Sequence, residues 1–363
     1  MRMIISGGGT GGHIYPALAI IEDLMKQEPD SKVLYVGSKR GLESSIIPQR
    51  GIDFVSLKIQ GFKRSLSLDN FKTVALFLQS VHKSKKIIKD FKPDVVIGTG
   101  GYVSGAVVYA AAKANIPTII HEQNSVVGLT NKFLSHYVDK IAIGFHEAAA
   151  QFPKQKVIFA GNPRAQQVAN IKSTFKWSDI GLMDNKPTVL IFGGSQGAPK
   201  INQAVENSIS ELNKRTYQTV FVTGKKRFAG VEENLKKTRI SDNVKVLPYI
   251  NDMPNMLPKV EVIVGRSGAT SIAEITAIGI PAILIPSPYV TADHQTKNTM
   301  SLVNRDAAVM IKEKDLTSET LLKSIDRLML DSTLREKMGQ NSRKLGVVDS
   351  ADRILNIAWS LIK

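Results

Sequence analysis

Twice in this chain an apolar stretch of strand length runs straight into a glycine-rich loop and then into a helix, and that repetition narrows the possible architectures more than any other feature. Residues 3–6 read as a short buried strand, Gly7-Gly8-Gly9-Thr10-Gly11-Gly12-His13 follows, and Pro16 opens a helix to about residue 25. Residues 188–192 form a fully apolar strand, Gly193-Gly194-Ser195-Gln196-Gly197-Ala198 follows, and a helix starts near Ile201. Missing Cβ atoms let a ligand approach the backbone, while the new helix aims free N–H groups and the positive end of its dipole at the same spot. Phosphate or diphosphate suits such a loop. A tight βα turn in any α/β protein reads the same way. Gly7, Gly9 and Gly12 also meet the dinucleotide fingerprint G-x-G-x-x-G, whose ribose-binding acid stands at the end of the second strand. That strand, residues 32–36, ends in Gly37-Ser38, so an NAD or FAD reading loses its support while anion binding survives.

Strand and helix signals alternate through the rest of the chain. The stretch Pro93 to Gly98, its small-residue loop and helix, and Ile116-Pro117-Thr118-Ile119-Ile120 are echoed by Val260 to Gly265, Ser267-Gly268-Ala269-Thr270, a helix, and Ile280-Pro281-Ala282-Ile283-Leu284. Alternating β and α elements with glycine turns imply parallel sheets and ligands at the carboxyl ends of strands. The expected fold class is α/β, with two Rossmann-like domains facing a cleft. At 363 residues the chain exceeds one ordinary domain. Gly161-Asn162-Pro163 breaks the pattern, which gives domains over residues 1–163 and 164–363. The last helices, 334–345 and 351–362, either close the second domain or return to the first.

Cysteine is absent, which excludes disulfides, thiolate metal sites and a cysteine nucleophile. A formal charge of +16 calls for an anionic ligand or neighbour, although lysines serving solubility account for any one of them. No apolar run is long enough to cross a bilayer. Gly-Lys-Ser/Thr occurs in none of the loops, which removes a P-loop, and no Asp-x-Asp occurs. A nucleotide-sugar enzyme built this way stabilises its diphosphate leaving group with backbone N–H groups and a helix dipole. Glu274, in the helix after residues 267–270, is a candidate for a ribose diol or an exposed helix glutamate. His13 is a candidate base, or else a helix cap or phosphate ligand. His121-Glu122-Gln123-Asn124 stands at the end of an apolar strand, where α/β active sites are built, and Asp293-His294-Gln295 with Asn298 forms a similar cluster. Between Phe62 and Lys89, apolar residues at helical spacing (Phe71, Val74, Ala75, Leu78, Val81, with Leu76 and Phe77 alongside) are ringed by lysines. This pattern fits an interfacial helix, and it also fits a helix packed on a sheet.

Gly7 to His13, Gly100-Gly101-Tyr102-Val103-Ser104-Gly105, His121 to Asn124, Gly161-Asn162-Pro163, Gly193 to Ala198 and Arg266-Ser267-Gly268-Ala269, in this order, resemble the bacterial N-acetylglucosaminyltransferases that make lipid II, members of glycosyltransferase family 28. The resemblance spans nearly the whole chain. It implies a GT-B fold and inverting transfer without metal or other cofactor. The donor would be UDP-N-acetylglucosamine and the acceptor the C4 hydroxyl of the muramoyl sugar of lipid I (undecaprenyl-pyrophosphoryl-N-acetylmuramoyl-pentapeptide). It implies a peripheral enzyme of peptidoglycan synthesis on the cytoplasmic face of the cell membrane. Carried over residue by residue, it assigns the acceptor to Gly9, Thr10, Gly11, His13, Tyr102 and His121, and catalysis to His13 with Glu122. The donor falls to Thr10, Gly11, Gly12, Asn124, Arg164, Ser195, Asn202, Arg266 and Ala269, with Ile250 presenting its backbone to uracil, Glu274 taking the ribose hydroxyls and Gln295 reading the sugar. Phe71, Leu76, Phe77 and Leu78 become a docking surface for anionic membrane. Arg164 follows Pro163 directly, where the family often has an intervening valine, and this loosens its assignment. The sugar-nucleotide 2-epimerases are a rival of the same fold that needs no lipid. Nucleic acid is not expected as a partner, since no binding module or aromatic platform interleaves with the lysines.

Overall fold

The computed structural model describes residues 1–61, 69–194 and 197–362. They divide into two compact units, Met1–Gln166 with Val347–Lys363, and Gln167–Gly346. The division falls after Gln166 rather than after Pro163, and the last helix, Ser350–Leu361, belongs to the first unit. Gln166 supplies the reason for both. Its Oε1 accepts the N–H groups of Ala351 at 2.8 Å and Asp352 at 3.1 Å, which caps that helix. Ile354, Leu355, Ile357 and Ala358 then join the core formed by Ile14, Leu18 and Ile21, and Trp359 Nε1 donates to Glu28 Oε1 at 2.9 Å.

The first unit holds a seven-stranded parallel sheet built from β1 (Arg2–Gly7), β2 (Lys32–Ser38), β3 (Asp53–Leu57), β4 (Val95–Gly100), β5 (Thr118–Glu122), β6 (Lys140–Ile143) and β7 (Val157–Phe159), in the order β3-β2-β1-β4-β5-β6-β7. The second holds β8 (Thr188–Phe192), β9 (Gln218–Val222), β10 (Val244–Leu247), β11 (Val262–Gly265), β12 (Ala282–Leu284) and β13 (Ala308–Met310), in the order β10-β9-β8-β11-β12-β13. The second order retraces the first six strands of the first sheet. In each sheet the chain reverses direction across one pair, β1 with β4 and β8 with β11, and an α/β sheet opens its ligand crevice at that switch point. Both glycine loops leave the sheet there. The central strands are buried on both faces, as in all six residues of β4, which explains why they read as continuous apolar runs.

The helix after the first loop, Gly11–Gln27, starts inside the glycine run rather than at Pro16. Pro16 lies in its second turn, and having no N–H it leaves the Gly12 carbonyl without its helical donor. Between Ser6 and Gly7 the register of β1 against β4 slips, so that Ser6 faces Gly98 and Gly7 faces Gly100. Thr99 is the residue squeezed out. Its hydroxyl donates to the His13 carbonyl at 2.8 Å, and a Cβ on Gly7 would stand 2.0 Å from that oxygen. One glycine and one threonine therefore lock the loop to the start of its helix.

Candidate active site

In the first unit the loop after β1 is pinned residue by residue. The buried Tyr35 hydroxyl donates to the Gly7 carbonyl at 2.8 Å. Gly8 N–H donates to the Gly100 carbonyl at 3.2 Å. Gly9 N–H donates to Glu43 Oε2 at 3.0 Å. Thr10 is the N-cap of the helix, yet its side chain makes no capping bond and is exposed, and a helix start of this kind is suited to an anion. The turn Gly100-Gly101 after β4 touches this loop, because a Cβ on Gly101, at φ +84°, would lie 2.5 Å from the Gly8 carbonyl oxygen.

His13 projects from the first turn of this helix. Its Nδ1 lies 2.8 Å from the Gly8 carbonyl oxygen. A carbonyl can only accept, so Nδ1 carries the proton and Nε2 holds the lone pair. Gly100, at φ +112°, makes room for the ring: a Cβ there would stand 2.8 Å from Nε2. In the neutral ring this makes Nε2 the basic nitrogen, and the Gly8 carbonyl of the glycine loop sets that choice.

The cluster at the end of β5 divides differently from expectation. His121 is wholly buried. Its Nε2 donates to the Gly161 carbonyl at 2.8 Å, and its Nδ1 accepts from Gln123 Nε2 at 3.0 Å. Burial pushes its pKa down to about 4, with the nearby His13 adding to the effect and the Gly161 bond opposing it, so the ring is neutral near pH 7. The expected acceptor contact is corrected: both nitrogens are taken, and His121 ties β5 to the Gly161 turn. Glu122 is corrected likewise. It is almost fully buried; Oε1 accepts Asn124 N–H at 3.1 Å, and Oε2 accepts Gly128 N–H at 3.0 Å and Asn131 Nδ2 at 2.9 Å. With both oxygens holding the loop, it shapes the place where Asn124 stands. Arg164 stacks its guanidinium over Tyr15, 5.3 Å from the ring centre, and so belongs to the first unit's glycine helix. Tyr102, at the start of helix Tyr102–Lys113, is exposed.

In the second unit Ser195 lies outside the described residues, and the loop is seen from its flanks. A Cβ on Gly197, at φ +70°, would meet the Thr223 carbonyl oxygen at 2.2 Å and Arg227 Cδ at 2.9 Å. Gly197 thus rests on the turn Thr223-Gly224-Lys225-Lys226-Arg227. Sequence reasoning passed over that turn, although a cation-rich glycine turn after an apolar stretch was there to be read. Asn202 is buried, its Nδ2 donates to the Thr223 carbonyl at 3.0 Å, and its Oδ1 has no partner among the described residues. Through its Nδ2, Asn202 anchors the turn at Thr223.

Arg266 brings the clearest correction. Its guanidinium pairs with the nearly buried Glu313 and donates from Nη1 to the Ile285 carbonyl at 3.0 Å. Its charge is neutralised inside the protein, so it braces the end of β11 rather than supplying a free cation. After it, Ser267 accepts from the Thr299 hydroxyl at 2.5 Å, and Asn298 Nδ2 donates to the Ser267 carbonyl at 3.3 Å. These bonds staple helix His294–Val303 to the turn that starts helix Ala269–Ile278. Ala269 opens that helix, and Glu274 within it is only 9% exposed, which overturns the exposed-glutamate alternative. Gln295 Oε1 accepts Ser287 N–H at 2.9 Å. Just before it, Ala292 and Asp293 both adopt positive φ, +53° and +49°, a strained pair of a kind that gathers at functional sites. Ile250 stands beyond the carboxyl end of β10, next to Tyr249, whose ring carries Lys225 Nζ 4.5 Å above it.

On the first unit, helix Asp69–Phe91 turns Thr73, Ser80, Val81, Ser84 and Ile88 inward. Phe71 and Leu78 are 77% and 62% exposed. Leu76 is half-buried, and so is Phe77, whose ring meets Phe133 edge-on at 6.1 Å. Of the four expected docking residues, two are surface and two are not. Val74, Phe77, Tyr102, Leu129 and Phe133 line an apolar depression of about 310 Å³ beside them. Lys63 and Arg64, also expected around this stripe, lie outside the described residues. No helix among the described residues is long and apolar enough to cross a membrane.

Fold and loops together define a two-unit α/β protein with a glycine loop after the first strand of each sheet, and comparison with known proteins gives its class as a glycosyltransferase. Residues 3–143 match the glycosyltransferase family 28 N-terminal domain and residues 188–354 its C-terminal domain; the chain belongs to this family. It is 63% identical, over 99% of both chains, to the UDP-N-acetylglucosamine–N-acetylmuramyl-(pentapeptide) pyrophosphoryl-undecaprenol N-acetylglucosamine transferase of Levilactobacillus brevis. Among solved structures it is similar to Acinetobacter baumannii MurG, with a TM-score of 0.78 and 25% identity over 99% of each chain. A putative UDP-N-acetylglucosamine 2-epimerase from Listeria monocytogenes shares the fold, with a TM-score of 0.72 and 14% identity over 99% of this chain and 96% of that one.

Proposed function

We propose that this protein transfers N-acetylglucosamine from UDP-N-acetylglucosamine to the C4 hydroxyl of the muramoyl sugar of lipid I, with inversion, giving lipid II. The observation that carries the chemistry is His13, whose Nδ1–H bond to Gly8 leaves Nε2 free to take a proton. The names of the relatives supply the donor and acceptor. In this reading Thr10 and the N–H groups at the start of helix Gly11–Gln27 hold the acceptor diphosphate, with Tyr102 beside them. His13 Nε2 takes the C4 hydroxyl proton as that oxygen attacks the anomeric carbon. The bond from that carbon to the diphosphate oxygen breaks, and UDP leaves with the electron pair. On the second unit the loop from Gly193 and helix Pro199–Glu206 stabilise the leaving diphosphate, Ile250 meets uracil, Glu274 takes the ribose diol, and the Gln295 amide reads the sugar. Incubation with UDP-N-acetylglucosamine and a lipid I analogue tests this: UDP release that requires the acceptor supports the transferase, and donor turnover without acceptor supports the epimerase alternative.

Metal independence belongs to this reading, in which backbone N–H groups and a helix dipole serve the diphosphate. Turnover in excess chelator is therefore expected to equal turnover without it. Loss in chelator that a divalent cation restores would overturn the metal-free mechanism.

The exposed side chains of Phe71 and Leu78, with lysines around them, are proposed to dock the enzyme on the anionic cytoplasmic face of the membrane. Replacing both by serine removes two insertable side chains, so sedimentation with anionic vesicles should weaken at least about tenfold. Turnover of a soluble short-chain acceptor should stay at the wild-type value. Phe77→Ser serves as the contrast, because its ring packs on Phe133 and Tyr109, and its main effect should be a lower Tm. Unchanged vesicle binding by the double serine variant would reject the docking surface.

A further inference from the structure

We propose that Glu43 is a positioning residue for this reaction, holding the phosphate-binding loop of the first unit, and through it His13, in working geometry. The proposal rests on the reading of that loop as the acceptor's diphosphate site. Glu43 is wholly buried at the start of the short helix Glu43–Ile46. No lysine or arginine pairs with it among the described residues. Three donors face it instead: Ser38 N–H at 2.8 Å and Ser38 Oγ at 2.6 Å on Oε1, and Gly9 N–H at 3.0 Å on Oε2.

Glycines from three segments make room for this carboxylate. A Cβ on Gly8 or on Gly41 would lie 2.1 Å from one of its oxygens, and a Cβ on Gly37 would lie 2.6 Å from its Cγ. Gly9 is different, for nothing stands within 4 Å of its Cβ position. There the backbone conformation, φ +86°, is what calls for glycine, and the bond to Glu43 holds it. Placing an acid at an anion-binding loop works against the anion electrostatically, so its use must lie in geometry. Gly7 is fixed by Tyr35, Gly8 by Gly100 and His13, and Gly9 by Glu43, while residues 10–12 remain for the ligand. Glu43 is therefore linked through Gly9 and Gly8 to the hydrogen bond that fixes the His13 tautomer. Dinucleotide enzymes turn an acid near this point of the fold outward to a ribose. Here the acid is turned into the protein.

Glu43→Gln offers one oxygen and one amide group to three donors, so an N–H is left opposed to an N–H. Acceptor kcat/KM should fall roughly ten- to a hundredfold, the change that accompanies loss of one hydrogen bond to a charged group. UDP affinity, a property of the second unit, should stay at the wild-type value, and amide exchange over residues 7–13 should accelerate. Glu43→Asp, which keeps the charge, should recover part of the loss. Ser38→Ala leaves the carboxylate in place and removes one donor; it should shift exchange in the same direction by less, and it carries the test if Glu43→Gln does not fold. Wild-type exchange over residues 7–13 and wild-type acceptor kinetics in both Glu43→Gln and Ser38→Ala would overturn the proposal, even if Tm falls. Absence of acceptor-dependent UDP release by the unmodified enzyme would instead overturn the assigned reaction, and the exchange measurement would still decide what Glu43 does to the loop.

Discussion

His13→Ala is expected to lower turnover of a lipid I analogue by about 10²- to 10⁴-fold, the range that a positioned general base contributes. The side chain acts at Nε2 and only as the acceptor oxygen attacks, so the loss should appear in kcat and kcat/KM together. Donor binding should not change, because none of the residues proposed to hold uracil, ribose or the leaving diphosphate is His13. Steady-state kinetics with the acceptor varied, beside calorimetric titration of UDP, measures both quantities. Were UDP affinity to fall while kcat survived, His13 would belong to the nucleotide site and the base would have to be sought elsewhere. The alanine also removes the bond to the Gly8 carbonyl. Amide exchange over residues 7–13 separates that loss of order from loss of the base: exchange at the wild-type rate with kcat collapsed assigns the effect to proton transfer.

Glu274→Ala should abolish discrimination between UDP-N-acetylglucosamine and its 2′-deoxyribose analogue. A carboxylate as buried as this one that accepts from a ribose hydroxyl contributes about 1.5–3 kcal/mol, so the unmodified enzyme should prefer the natural donor by roughly ten- to a hundredfold in kcat/KM. In the alanine variant the hydroxyl has lost its partner, and the two donors should become nearly equal. The ratio of ratios isolates the contact from any general effect of the substitution, which acts on both donors alike. Equal ratios in the two enzymes would show that Glu274 does not touch the 2′-hydroxyl and serves the packing of helix Ala269–Ile278.

Much of the architecture was legible before any coordinates, because it is written in local chemistry. Apolar runs ending in glycine turns mark parallel strands buried on both faces, and the repeat of that pattern at residues 3–6 and 188–192 foretold two similar α/β halves with parallel sheets. The motifs that place the chain in glycosyltransferase family 28 are also local, since a loop that must let a phosphate reach the backbone has to be glycine wherever a Cβ would intrude. The position of His13 was legible for the same reason, as a polar residue at the mouth of a glycine loop, and its role as a base is the proposal made above.

What tertiary structure alone decided concerns which partner each polar group meets once the chain is folded. Arg266 reads as a cation for a diphosphate until Glu313 from a different segment neutralises it, and no spacing rule foretells that pair. His121 and Glu122 read as open polar groups until Gly161, Gln123, Gly128 and Asn131 close around them; burial keeps the first a neutral imidazole, and its hydrogen bonds make the second a loop brace. Glu43 was invisible because its ligands, Gly9 and Ser38, come from the ends of two other strands. The last helix followed the first unit because Gln166, Glu28 and the apolar face of helix Gly11–Gln27 receive it. The sequence by itself determined the elements, their repetition and the chemistry of the loops, since these depend on neighbours along the chain. Which of the polar residues are free to act depends on burial and on contacts made across the sheet, and only the folded packing sets those.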